Sequence, residues 1–155
     1  MDRGNGYVSV PGSDVSSIQM ARVRRILETA LYCDDLARTA AFYEKLLEAS
    51  PMLSGDRLVA LDAGEGTVLL LFQRGNSGPL QAPGGLVPGH DGSGPVHLAF
   101  AIDAVDVDLW QARLAALGVE IESRVTWERG GLSLYFRDPD GRSVELATPG
   151  LWPSY

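Results

Sequence analysis

A chain of 155 residues with 45% hydrophobic and 21% charged side chains is globular in composition and fits one domain or two small fused modules. Its net charge of −7 argues against a nucleic-acid partner, which needs a basic face, and it has no polybasic run for anionic lipid. No apolar run nears the roughly 20 residues that span a bilayer, so no membrane partner is expected, and a lone Cys33 excludes an internal disulfide framework and makes a reducing, cytoplasmic setting the default.

Residues 1–24 read as an N-terminal tail or arm, rich in Gly, Ser and Asp. Ser13 is placed to cap a short helix carrying Val15, Ile18 and Met20. The first module is expected over 25–73. Arg25 to Cys33 is an apolar strand ending at Asp34-Asp35, and Asp34 is the expected N-cap of a helix. In that helix Leu36, Ala40, Tyr43 and Leu47 recur at helical spacing, with Phe42 and Leu46 widening the stripe. Pro51 ends the element. Arg57 to Ala63 and Thr67 to Gln73 are strands around the turn Gly64-Glu65-Gly66.

Residues 74–95 hold seven glycines and four prolines, a density expected to exclude helix and strand and to give a linker, or else a long loop over a site. His90 within it reads as a solvated loop residue. The second module, 96–148, repeats the order. Val96 to Ile102 is a strand, and Asp103 a cap candidate. Val105, Leu109, Ala112 and Ala116 mark a helical face that Gly118 ends. Val119 to Trp127, Leu132 to Arg137 and Arg142 to Ala147 are strands, the last two joined by the tight turn Asp138-Pro139-Asp140-Gly141. Residues 149–155 are a C-terminal tail. ILETALYCDD aligns on PVHLAFAIDA without a gap, so Glu28 falls on His97; at the end of each half, Leu70 falls on Glu145. The predicted fold class is α+β: two tandem βαβββ modules sharing one buried interior.

Side chains alternate across a strand, so each strand divides into a bulky face for the helix and a second face. That second face carries Glu28, Ala30 and Tyr32, then His97, Ala99 and Ala101, then Ser143, Glu145 and Ala147, and then Ser133, Tyr135 and Arg137. Leu70 and Phe72 add an apolar side. A few coordinating groups among small alanines make a poor core and a sensible hollow. Two carboxylates in one hollow repel and are costly to desolvate, and a divalent cation held by Glu28, His97 and Glu145 would offset that cost. Mn, Fe, Ni or Zn suits this donor set, and three ligands leave positions open. Taken singly, each residue has a plainer reading. His97 is then structural, Glu28 pairs with Arg137 or Arg57, and Glu145 is an exposed edge residue.

At these residues the chain resembles the vicinal oxygen chelate superfamily, which includes glyoxalase, bleomycin-resistance and extradiol dioxygenase proteins. The carriers are LETALYCDDLARTAAFYEKLL, GPVHLAFAID and LYFRDPDGRSVEL, and the resemblance spans residues 25 to 148. It implies paired modules forming an open curved sheet around a central cup, with a divalent ion held by the first and last strands of each module. Those positions are Glu28, Leu70, His97 and Glu145. His97 and Glu145 match the usual types, Glu28 stands where histidine is commoner, and Leu70 cannot coordinate. The implied site resembles the three-ligand arrangement of the dioxygenases and fosfomycin-resistance enzymes, in which Ser133 and Tyr135 match substrate-contacting positions. Members of this length commonly form homodimers, in some of which the first-strand ligand comes from the other subunit.

Two functions are expected from this reading. The first is a metal-dependent lyase, isomerase or dioxygenase acting on a small molecule with vicinal oxygens. Glu28 and Tyr135 would be catalytic, and Tyr32, Phe72, Ser133, Tyr135 and Arg137 would bind substrate. The second is a metal-free drug-binding protein of bleomycin-resistance type, favoured by Glu28, Leu70 and the acidic charge.

Overall fold

The computed structural model describes residues 21–155. The short helix expected around Ser13, Val15, Ile18 and Met20 lies outside the described residues. The first module runs β1 (Glu28–Cys33), α1 (Leu36–Leu47), β2 (Pro51–Ser54), β3 (Leu58–Asp62) and β4 (Val68–Gln73). A hairpin of β5 (Leu80–Ala82) and β6 (Gly85–Val87) follows. The second module is β7 (His97–Ala101), a 3-10 turn (Ala104–Asp106), α2 (Val107–Ala116), β8 (Ser123–Thr126), β9 (Leu132–Arg137) and β10 (Ser143–Ala147).

Each module forms its own four-stranded sheet, in the orders β1-β4-β3-β2 and β7-β10-β9-β8. The registers repeat. Glu28 pairs with Val68 and Ala30 with Leu70 on the parallel β1–β4 ladder; His97 pairs with Ser143 and Ala99 with Glu145 on β7–β10. Leu70 and Glu145 are thus equivalent in backbone position, as the internal alignment predicts. The helix-facing sides of both sheets meet in one core that includes Leu31, Cys33, Tyr43 and Leu71 with Phe136, Val144 and Leu146. Cys33 is buried there, and burial raises its thiol pKa.

A polar joint crosses from one module to the other. Arg142, in the turn before β10, pairs with Asp138 at 2.7 Å and Asp140 at 2.9 Å. It also donates to the Tyr32 carbonyl at the end of β1. Tyr43 Oη of α1 donates to Asp138 (2.9 Å), and Thr39 Oγ1 to Asp140 (2.7 Å). Burial opposes charge on Arg142, but hydrogen bonding and charge from Asp138, with the charge of Asp140, hold its pKa above the usual value. The Asp138-to-Gly141 turn closes as expected, with Gly141 at φ +79 and its amide on the Asp138 carbonyl.

Several local expectations are corrected. The α1 N-cap is Asp35, whose carboxylate accepts from the Arg38 amide at 3.0 Å; Asp34 instead pairs with Arg74. Replacing Asp35 by Ala should cost about 1 kcal/mol, read from chemical denaturation. The strand Pro51–Ser54 was not expected. It is short and lies at the sheet edge, so three of its four residues stay exposed and carry no clear alternation. The segment expected to exclude strand holds the β5–β6 hairpin, which turns at Pro83-Gly84 and opens β6 with Gly85 at φ +147, a backbone that glycine adopts without steric cost. Val119 to Trp127 narrows to Ser123–Thr126. On α2 the expected face is the wrong one: Val105 and Leu109 are 88% and 68% exposed, and Val107 and Leu114 are buried. Val105 lies in the 3-10 turn and not in α2, and within α2 the faces of Leu109 and of Val107 with Leu114 are both apolar, so the spacing alone does not separate them.

Candidate metal-binding site

The second face of the β7–β10–β9 sheet carries a compact polar cluster. His97 opens β7, and Glu145 stands in the middle of β10, one strand inward. Glu145 is 4% exposed, which removes the reading of it as an exposed edge residue. His97 Nε2 lies 3.1 Å from Glu145 Oε2. Ser133, fully buried on β9, donates from Oγ to Glu145 Oε1. Tyr135 is the direct cross-strand partner of Glu145, and its ring lies 6.1 Å from that of His97. Partial burial, then the neighbouring Glu145 carboxylate, raises the Tyr135 phenol pKa. The phenol is therefore neutral at physiological pH, a donor and not a base.

The tautomer of His97 follows from its other nitrogen. Nδ1 lies 3.1 Å from the Ser143 carbonyl, which can only accept, and 3.3 Å from the Ser143 hydroxyl. Nδ1 therefore carries hydrogen for the carbonyl, and in a neutral imidazole Nε2 is a bare lone pair. That lone pair faces a carboxylate oxygen. Two acceptors at this separation need a cation between or beside them, a proton or a metal ion. Divalent ions take N and O donors at about 2.0–2.2 Å, which puts adjacent donors about 3 Å apart. The donor types and their spacing fit such an ion. A backbone carbonyl fixing the far nitrogen is also the usual outer support of a metal-bound histidine.

The remaining predicted residues lie elsewhere. Glu28 begins β1 and is exposed. Among the described residues no third His, Cys, Asp or Glu joins His97 and Glu145 within one chain. The joint cluster expected of Glu28, His97 and Glu145 is thus not assembled in the single chain, because β1 and β7 are separate edge strands of two sheets with no ladder between them. A cleft of about 690 Å³ lies along these edges, lined by Thr29 and Val68 on one side and His97, Ala99 and Ala101 on the other. The ion pairs once considered for Glu28 are also taken up differently. Arg137 binds Glu122 through two nitrogens, at 2.6 and 3.0 Å, and Arg57 donates to the Gly78 carbonyl. The hydrogen bonds from Arg137 lower the Glu122 pKa.

Tyr32 and Phe72 lie together on the first module, with ring centroids 6.1 Å apart. His90 joins them: its Nδ1 lies 2.7 Å from Tyr32 Oη, and its ring meets the Phe72 ring edge-on at 4.8 Å. His90 is an exposed loop residue, as expected, and these contacts hold it against the first module. Ser77, buried, fastens the segment through its carbonyl to the His90 amide and through its hydroxyl to the His90 carbonyl. Gly and Pro richness hid this, because the contacts depend on backbone groups that a residue pattern does not mark.

Trp127 is a site residue that the sequence reading missed. Its indole Nε1–H donates to Ser133 Oγ at 2.8 Å. The turn that follows it is tight: the Trp127 amide donates to the Gly131 carbonyl and the Gly130 amide to the Trp127 carbonyl. A Cβ on Gly131 would come within 2.6 Å of the backbone at Gly150 and Leu151. Gly131→Ala should therefore shift the turn and withdraw the indole, seen as a red-shifted tryptophan emission and a lower melting temperature. No helix among the described residues is long and apolar enough to cross a membrane.

Comparison with known proteins agrees with this architecture. The family model described as "Glyoxalase/Bleomycin resistance protein/Dioxygenase superfamily" matches residues 25–146. The metallothiol transferase FosB of Bacillus licheniformis is 30% identical over 115 residues, which is 74% of this chain and 68% of that protein. The crystal structure of lactoylglutathione lyase from Agrobacterium tumefaciens superposes with a TM-score of 0.76 at 36% identity, covering 86% of this chain and 99% of that one. The fosfomycin resistance protein FosX from Listeria monocytogenes gives 0.59 at 26% identity, covering 85% and 96%. With two βαβββ modules in matching register and a family match over most of its length, this chain belongs to the glyoxalase/bleomycin resistance protein/dioxygenase superfamily.

Proposed function

We propose that this chain is a metal-dependent enzyme that binds a divalent ion through His97 and Glu145 and acts on a small substrate with two adjacent oxygens. The observation that carries the reading is the approach of His97 Nε2 to Glu145 Oε2 at 3.1 Å, with Nδ1 committed to a carbonyl. Mn, Fe, Ni or Zn suits one imidazole and carboxylate oxygens. Glu28 is the proposed third ligand, contributed by a second copy in a homodimer, since the cluster within one chain does not include it. Leu70 leaves the fourth position to water or substrate.

When bound, the ion supplies Lewis-acid stabilisation of an enolate or oxyanion. The chain's own residues do the rest. Tyr135, neutral beside Glu145, donates a hydrogen bond to a substrate oxygen. Glu28, where displaced from the ion by substrate, is the candidate base. Tyr32 and Phe72 offer an aromatic wall. Arg137 recognises an anionic group only after giving up Glu122. The named relatives include a metallothiol transferase and a lactoylglutathione lyase, so thiol adducts head the substrate classes to test, before 2-oxo acids and catechols.

The test is a screen of these three classes on chelator-stripped protein, repeated after adding each metal. Turnover that returns only with metal is expected; equal turnover without metal contradicts the reading. A second reading, a metal-free binding protein, is favoured by Leu70 and by the separation of Glu28 from the pair. Tight ligand binding without turnover, insensitive to chelator, would support it instead.

A further inference from the structure

The Ser133 hydroxyl has its hydrogen-bond directions fixed. An indole N–H can only donate, so at the 2.8 Å contact with Trp127 the serine oxygen must accept. Its single hydrogen is then free for the Glu145 Oε1 beside it. The three groups form a one-way chain that ends on the carboxylate, whose other oxygen, Oε2, lies 3.1 Å from His97 Nε2. Ser133 is fully buried and Glu145 nearly so, so water does not compete for these bonds. The hydroxyl's proton is spent on Glu145 and is not available to a substrate.

We propose that Trp127 and Ser133 act as one positioning unit that pins Glu145 Oε1 and leaves Oε2 aimed beside His97 Nε2 for a divalent ion; this rests on the metal-binding reading above. Without the indole, the serine hydroxyl regains rotational freedom and the carboxylate loses its fixed orientation. Outer partners of metal ligands act in this way, and their loss typically weakens metal binding by about 10–100-fold. Trp127 acts only through Ser133, so the two losses must not add.

The test titrates Mn²⁺ into the chelator-stripped full chain by calorimetry, for wild type, Trp127→Phe, Ser133→Ala and the double variant. Trp127→Phe keeps an aromatic ring at a partly exposed position and removes only the donor, so it remains informative should Ser133→Ala misfold. Each single variant is expected to bind Mn²⁺ about 10–100-fold more weakly. The double variant is expected to bind no more weakly than Ser133→Ala, with the metal-free melting temperature of Trp127→Phe near that of wild type. Wild-type affinity in Trp127→Phe, or losses that multiply in the double variant, would overturn the unit while leaving the metal site standing. A wild type that binds no Mn²⁺ would overturn the metal reading, and the unit with it.

Discussion

Replacing Arg142 by Ala should lower the unfolding free energy by about 3–5 kcal/mol, the size expected when one partner of a buried ion pair is removed. The side chain is 4% exposed and its partners Asp138 and Asp140 are 0% and 8% exposed. Deleting the guanidinium leaves a buried carboxylate with only Tyr43 and backbone amides for company. It also removes the Arg142 bond to the Tyr32 carbonyl, so the end of β1 loses one of its ties to the second module and keeps the Asp34 amide on Asp140. Arg142→Lys should recover part of the loss but not the contact to Tyr32, because an ammonium cannot bridge the same span as a planar fork. Urea denaturation measures both variants.

The same joint gives the fold an acid limit. Burial alone would raise the Asp140 pKa, but the Thr39 hydroxyl, the Asp34 amide and Arg142 outweigh it, and the pKa lies below the ordinary value. A carboxylate whose folded pKa is depressed stabilises the fold above its unfolded pKa. That stability is lost as pH falls through the lower, folded value. Wild-type stability should therefore drop as pH falls below about 4. Asp140→Asn should be less stable near neutrality and lose less across the acid range, read from urea midpoints at several pH values.

Glu145→Gln is the second large effect. The amide keeps the shape and one acceptor oxygen but removes the charge that an ion would need. Its NH₂ group would also face either the Ser133 hydroxyl or the His97 nitrogen. Metal affinity should fall by more than the 10–100-fold typical of an outer partner, since Glu145 itself supplies the donor. His97→Ala should behave alike. Glu28→Gln is expected to weaken binding only under conditions in which the chain is dimeric, so its effect should fade on dilution.

The main outline was legible because two physical signals agree along the chain. Strand alternation around His97, Tyr135 and Glu145 separates a face of small and coordinating groups from a face of Leu, Val and Phe. The gapless alignment of the first strands set Glu28 on His97, the matching last strands set Leu70 on Glu145, and the ladders carry both equivalences. What was hidden depends on geometry that no residue spacing encodes. On α2 both the Leu109 face and the Val107–Leu114 face carry apolar residues, so spacing alone does not tell which one is buried. His90 docks through a backbone clasp at Ser77. Trp127 reads as the tail of a strand, and only the close approach of Gly131 to Gly150 turns its indole toward Ser133. The split of the expected three-residue cluster is a matter of sheet edges. Alternation tells which face a side chain takes, but not which edge strands of separate sheets meet.

The central claim is that His97 and Glu145 hold a divalent ion. The most direct measurement is the stoichiometry and affinity of Mn²⁺, Ni²⁺ and Zn²⁺ on chelator-stripped protein, for wild type, His97→Ala and Glu145→Ala. One ion per chain at micromolar concentration or tighter is predicted for wild type, with binding lost in both variants. No binding to wild type, or one ion retained with both variants, would contradict it.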